Sequence, residues 1–209
     1  MSFVFRYPDD PRRISQDYLK KLEDKSKPGD LIGQFKWDDW RLMATKASGA
    51  WRFFAKRGSK EDRSKQPPED LRRQLHSLEL PDGTTLDMGW VGPRDPFKVL
   101  KGRHFLVVWD LMCWEGKWQG EFPYHFRLSN LRAIITPRKH AAKADLIEIA
   151  ESRVADLSKM FEESKAHPEY EGIVVKRANS KLVGGWAKAE DNPSWWKVKY
   201  RDIKEPTAF

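Results

Sequence analysis

The sequence predicts an α+β fold in which strands outnumber helices. Short runs that alternate apolar and polar residues, or are apolar throughout, recur along the chain; other stretches place apolar residues at helical spacing; and Pro, Gly, Asp and Ser clusters separate them. At 209 residues the length suits one core, so residues 1–209 are read as a single domain.

After the turn residues PDDPRR, the spacing of Ile14, Tyr18, Leu19 and Leu22 predicts an amphipathic helix, and DLIGQFKW reads as a strand. RLMATK and AWRFFAKRG, parted by SG, form a predicted hairpin. GSKEDRSKQPPED is a loop whose closing prolines and acids suit the start of a helix over LRRQLHSLEL. TTLDMGWVG and HFLVVWDLMCW are strands, the second apolar enough to be central. Between Ala144 and Lys165, the spacing of Leu146, Ile149, Val154, Leu157 and Phe161 predicts a helix, ended by HPEY. GIVVKR and SWWKVKYR are two more strands, with the Gly-rich loop NSKLVGGW between them.

A formal charge of +8 points to anionic partners, nucleic acid ahead of membrane surfaces. Ten tryptophans and eleven phenylalanines serve either core packing or stacking on bases. The single cysteine, Cys113, excludes an internal disulfide and a cysteine-built zinc site. The N-terminus lacks the apolar segment of a signal peptide and no run reaches the roughly 18 apolar residues of a membrane span, so a cytoplasmic protein is expected.

By itself Lys36, near a strand end, reads as a solvated edge residue. Downstream, EGIVVK (171–176) and WWKVK (195–199) are β-patterned runs that also carry charges, and Lys197 and Lys199, two apart, share a strand face. Two ammonium groups side by side repel unless an anion lies between them, so the pair is a solvated face or a phosphate clamp.

Lys36-Trp37-Asp38-Asp39-Trp40-Arg41 resembles the K-x-D-G-x-R motif of ATP-dependent DNA ligases and mRNA capping enzymes. Glu171–Lys176 is similar to their E-G-x-V-x-K motif, Lys197-Val198-Lys199 to K-x-K, Arg57-Gly58 to the S-R-x-G element and Val108-Trp109-Asp110 to the aromatic–aspartate element. The resemblance runs in order from about Gly29 to Tyr200. It implies a nucleotidyltransferase domain of two antiparallel sheets flanked by helices, with the nucleotide in the groove between them.

The same resemblance implies that Lys36 attacks the α-phosphate of ATP and passes AMP to a 5′-phosphate end, which a 3′-hydroxyl then seals. It further implies that Glu171 and Asp38 hold Mg²⁺ or Mn²⁺, Arg41 meets the sugar or the nick, Arg57 a phosphate, Trp109 the adenine, and Lys176, Lys197 and Lys199 the triphosphate. The implied partner is nicked or broken nucleic acid, DNA favoured by Arg41 and the WWKVK wording, with RNA ends the alternative; no protein-interaction motif is visible. A second alternative is an end-binding module that has lost catalysis.

Asp39 stands where the family has glycine, which predicts a raised Lys36 pKa. Gly89 stands where the family has a sugar-binding glutamate, which predicts weaker nucleotide affinity. The sequence stops nine residues past Tyr200, so no OB-fold is expected after this domain.

Overall fold

Residues 9–55, 66–93, 100–184 and 190–200 are described by the computed structural model. In chain order, their elements are β1 (Asp10–Arg13), α1 (Gln16–Asp24), β2 (Leu31–Trp37), β3 (Asp39–Ala47), β4 (Ala50–Ala55), α2 (Glu69–Ser77), β5 (Thr85–Val91), β6 (Phe105–Trp114), β7 (Lys117–Trp118), α3 (Tyr124–Ala142), β8 (Ile147–Ile149), β9 (Ser152–Arg153), α4 (Leu157–Ala166), β10 (Tyr170–Arg177) and β11 (Asp191–Lys199). One sheet has the order β1-β11-β10-β2-β9, the other β4-β3-β5-β6-β7 with β8 added on β6. Pairing is antiparallel except at β1 with β11 and β6 with β8.

Strand alternation gives each sheet an outer face covered by helices and an inner face turned to the other sheet. On the first sheet, Leu31, Phe35, Ile173, Val175, Trp196 and Val198 pack outward against Leu19 and Leu22 of α1 and Leu157, Met160 and Phe161 of α4. On the second, Leu42, Leu86, Met88, Leu106 and Val108 pack against Leu71 and Leu75 of α2 and Leu128, Leu131 and Ile135 of α3. Met43, Phe54, Met112, Leu182 and Trp195 close one end of the inner space.

The helices are fixed by their ends as well as their apolar faces. Ser15 caps α1 by accepting from the Tyr18 amide at 3.2 Å. Glu23, near the end of α1, accepts from the amides of Leu157 at 2.6 Å and Ser158 at 3.0 Å, so a carboxylate of one helix satisfies the orphan donors of another.

The helix expected over 144–165 is shorter than its spacing implied. Only Leu157–Ala166 is helical; Ile147–Ile149 pairs with β6 and Ser152–Arg153 with β2. Asp156 takes a left-handed φ of 55° and Val154 is exposed, so the periodic pattern spans a strand edge, a turn and a helix. The long helix α3 went unread. Its apolar positions Leu128, Leu131 and Ile135 do face the core, but Pro137 lies inside it and masks the pattern.

Candidate active site

The register of the first sheet places Lys36 opposite Gly172, and Gly172 opposite Lys199, in adjacent strands. Ile32, Gln34 and Lys36 of β2, Val174 and Lys176 of β10, and Trp195, Lys197 and Lys199 of β11 therefore line the inner face. Gly172 is required there: its φ is +144° and a Cβ would lie 1.9 Å from the Val198 carbonyl oxygen. The two lysines thus flank a bare backbone position.

Strict alternation would turn Glu171 away from these lysines. The register shift between Tyr170 and Gly172 puts an extra residue opposite β2, and this bulge re-aims the Glu171 side chain. One Glu171 oxygen pairs with the Lys36 ammonium and the other accepts from Lys199 Nζ at 2.6 Å. Burial opposes the Glu171 charge, but Lys36 and Lys199 outweigh it and hold the carboxyl below its usual range. Burial also works to lower the Lys36 pKa, yet Glu171 and then Asp39 raise it further, and the net direction is upward. Lys36 here is an ion-paired ammonium.

From the second sheet, Asp39 and Arg41 of β3 and Asp87 and Gly89 of β5 face the same space. Arg41 forms a fork on Asp87, Nε to Oδ1 at 2.9 Å and Nη2 to Oδ2 at 2.6 Å. Burial disfavours the Arg41 charge, and Asp87 more than offsets it. Asp10 of β1 lies between the sheets' cations, its Oδ1 3.8 Å from Arg41 Nη1 and 3.9 Å from Lys197 Nζ. A carboxylate so placed marks where an anionic group is favoured. Asp39 is pushed up to about 6, first by burial and also by Glu171 and Asp87, against the pull of Lys36 and Arg41.

Deeper in the groove, Lys176 is 3% exposed, and its ammonium sits 4.1 Å from the ring centres of both Tyr124 and Trp195. Burial lowers its pKa to about 8, against Asp110 and Asp87. Asp110 is itself forked by the fully buried Arg127, Nε to Oδ1 at 3.0 Å and Nη2 to Oδ2 at 2.8 Å. Arg127 also donates through Nη1 to the carbonyls of Phe122 at 2.6 Å and Ser180 at 3.2 Å, tying α3 to the loop before β11. Trp109 stands at a register shift in β6 and packs with Val91, Phe105, Val107 and Ala150.

The structure therefore brings Lys36, Glu171, Lys197 and Lys199 to one face and Arg41 to the facing sheet. Asp38, buried, follows β2 directly, with its amide on the Glu169 carbonyl at 3.2 Å. Arg57 lies outside the described residues. Sequence reasoning missed Asp87, Arg127 and, above all, Gln34. Gln34 is wholly buried on the inner face, two residues before Lys36, and neither its amide nitrogen nor its oxygen has a hydrogen-bond partner among the described residues. A glutamine within the apolar run LIGQF was the visible signal.

Among the described residues, no three His, Cys, Asp or Glu side chains converge to form a metal cage. Glu171 and Asp38 carry the kind of hard oxygens that a Mg²⁺ would take, though both Glu171 oxygens are engaged here by lysines.

Residues 14–199 match the family of the ATP dependent DNA ligase domain. No curated protein sequence matches the chain. The fold is similar to that of a mycobacterial DNA ligase D complexed with ATP and MES, with a TM-score of 0.68 and 20% identity over 97% of this chain and 62% of that one. It is similar also to the ligase domain of M. tuberculosis LigD (TM-score 0.62, 19% identity, 95% of this chain and 61% of that one) and to the ATP-dependent DNA ligase of bacteriophage T7 in complex with ATP (0.57, 14%, 94% and 69%). The chain spans about six-tenths of the length of the first two. The family match over residues 14–199 and the two-sheet groove around Lys36 lead to one conclusion: the chain belongs to the ATP-dependent DNA ligase domain family.

Proposed function

We propose that this chain carries out nucleotidyl transfer for polynucleotide ligation. The Lys36 nitrogen attacks the α-phosphorus of ATP; the N–P bond forms as the P–O bond to pyrophosphate breaks, and the amine proton passes to solvent. AMP then moves to a 5′-phosphate, and attack by a 3′-hydroxyl forms the phosphodiester and releases AMP. The observation that carries the reading is the placement of Lys36 and Lys199 on either side of bare Gly172, with Glu171 shared between them.

Lys36 must be neutral to attack, and Glu171 holds it charged. Anything that draws the Glu171 oxygens away removes the main partner of the ammonium and lets burial lower its pKa. Glu171 and Asp38 would hold Mg²⁺, or Mn²⁺, which supplies positive charge to the phosphates when bound. Lys197 and Lys199 neutralise phosphate oxygens, and Arg41, whose Nη1 faces Asp10, offers a donor to a phosphate or sugar that displaces that carboxylate. Arg57 is assigned to a phosphate from its motif alone. Lys176, sealed between rings, contributes its field from below the groove. Trp109 offers a ring to the base, and the unpaired Gln34 amide offers both a donor and an acceptor to its edge.

Nicked DNA is the preferred substrate in this reading, from the family match, with RNA ends second. Intact mass after incubation with ATP and Mg²⁺ tests the first step: an AMP adduct in the wild type, absent from Lys36→Ala, is the expected result. The same protein incubated with a nicked DNA duplex and with a nick flanked by RNA then separates the two substrates. Absence of any adduct in the wild type would move the chain to the end-binding alternative, whose affinity for broken ends falls steeply with salt.

A further inference from the structure

The acid at position 39 and the missing side chain at position 89 are one feature. A Cβ on Gly89 would lie 1.8 Å from Asp39 Oδ2, 2.6 Å from its Cγ and 3.1 Å from its Cβ. Any side chain on β5 at this point is excluded while Asp39 keeps its place. Gly89 is registered against Arg41, and Asp39 against Val91, so Asp39 reaches diagonally across the strand pair to fill the volume that residue 89 leaves open. Asp39 thus presents its carboxylate on the inner face in the space where β5 has no side chain.

Its surroundings define what it can bind. Asp39 stands beside the strand end that carries Lys36, within electrostatic reach of Lys36, Glu171, Arg41 and Asp87. A carboxylate there repels the phosphates that the lysines attract, and it is an acceptor only, so it selects a neutral part of the ligand rich in donors. In a nucleotide the group joined to the α-phosphate is the pentose, and its vicinal hydroxyls are two adjacent donors. A carboxylate receives such a pair with both oxygens. We propose that Asp39 binds the ribose hydroxyls of the nucleotide, standing in for a side chain at position 89, and that it makes this chain select ribonucleotides over 2′-deoxynucleotides. This rests on the nucleotidyl-transfer reading above.

The test compares ATP with 2′-deoxy-ATP in forming the Lys36 adduct, as kcat/KM, in the wild type, Asp39→Asn, Asp39→Gly, Gly89→Glu and the double variant Asp39→Gly/Gly89→Glu. Both nucleotides are measured on each variant, so a general loss of rate or of folded protein cancels from the ratio. The wild type should prefer ATP by about tenfold or more, the cost of losing one hydrogen bond to a charged acceptor. Asp39→Gly should bring the ratio close to one through KM for ATP, and the double variant should recover preference beyond either single change. Gly89→Glu alone should bind nucleotide poorly, because two carboxylates then compete for one volume; if it does not fold, the two Asp39 variants decide the matter. A wild-type ratio near one, or a ratio unmoved in Asp39→Gly, overturns the assignment while leaving nucleotidyl transfer intact. A wild type that takes up no AMP overturns both, and is recognised by the absent adduct. A metal-binding role for Asp39 would instead shift the Mg²⁺ dependence equally for both nucleotides.

Discussion

Lys36 and Glu171 form an ion pair that neither strand's alternation would have produced, because a bulge in β10 turns the Glu171 carboxylate onto the face that carries the lysine. This pair favours the protonated form of Lys36, the proposed nucleophile. In Glu171→Gln the largest upward influence on Lys36 is gone while burial remains, so its pKa should fall. Labelling with an amine-reactive ester near pH 8, read by peptide mass spectrometry, should be several-fold faster at Lys36 in this variant than in the ligand-free wild type. Adduct formation from ATP should nevertheless be slower, because the carboxylate oxygens are lost. Equal labelling would mean that Asp39, rather than Glu171, sets the protonation of Lys36.

Gln34 is buried with no hydrogen-bond partner for its amide among the described residues, an arrangement that costs desolvation without a compensating bond. Replacing it by leucine, close in volume, removes two unsatisfied polar atoms, and the ligand-free protein should gain about 1–2 kcal/mol of stability. The melting-temperature increase produced by ATP should shrink at the same time, and discrimination between ATP and GTP should weaken. A Gln34→Leu protein stabilised by ATP as strongly as the wild type would remove the residue from the base site.

Lys176 gives the fold a pH dependence of predictable sign. Its folded pKa of about 8 lies below its ordinary 10.5, so between those values the unfolded chain binds the proton and the native protein does not. Stability from this group therefore rises with pH across that window and is flat below it. The shift corresponds to something on the order of 3 kcal/mol. Urea titrations at pH 7 and pH 10 of wild type and Lys176→Met should show the variant's advantage at pH 7 shrinking or reversing at pH 10. A difference independent of pH would place the titration elsewhere.

Arg127 and Asp110 are buried together, and removing one takes from the other its forked, oppositely charged partner. Arg127→Ala should cost about 3–5 kcal/mol in chemical denaturation. Adding Asp110→Asn to it should cost far less than the sum of the single changes, because the buried charge that lost its forked partner is removed as well. Strict additivity of the two would contradict the pairing.

The sheets were legible because their strands follow the two-residue period: LIGQFKW, IVVK and WWKVK present one set of residues to helices and the other to the groove, as Lys197 and Lys199 show. The helix α3 was hidden by Pro137, and the spacing over 144–165 mixed a strand edge with α4, since Leu146, Ile149 and Leu157 all reach the interior by different routes. Within the site, resemblance to the family's motifs rather than spacing alone singled out Lys36, Glu171 and the paired lysines, which the register brings to one neighbourhood. What the spacing could not carry was side-chain direction across a bulge, as at Glu171, or a cross-strand dependence such as that of Asp39 on Gly89. Read singly, the latter two look like separate defects; the register joins them.

The order in which the strands pair bears on how the protein is born. The second sheet is built largely from neighbours in sequence, β3 with β4 and β5, and β5 with β6, whereas β2 must wait for β10 and β1 for β11. Pairings between such distant segments require a long loop to close before any contact rewards it, and they form late. As the chain leaves the ribosome, the sheet carrying Arg41 and Asp87 can therefore take shape well before Lys36 acquires Glu171 and Lys199 as neighbours. If Lys36 carries AMP as proposed, a nascent chain that lacks β10 and β11 has neither Glu171 nor Lys199 beside it and no complete pocket in which to consume ATP.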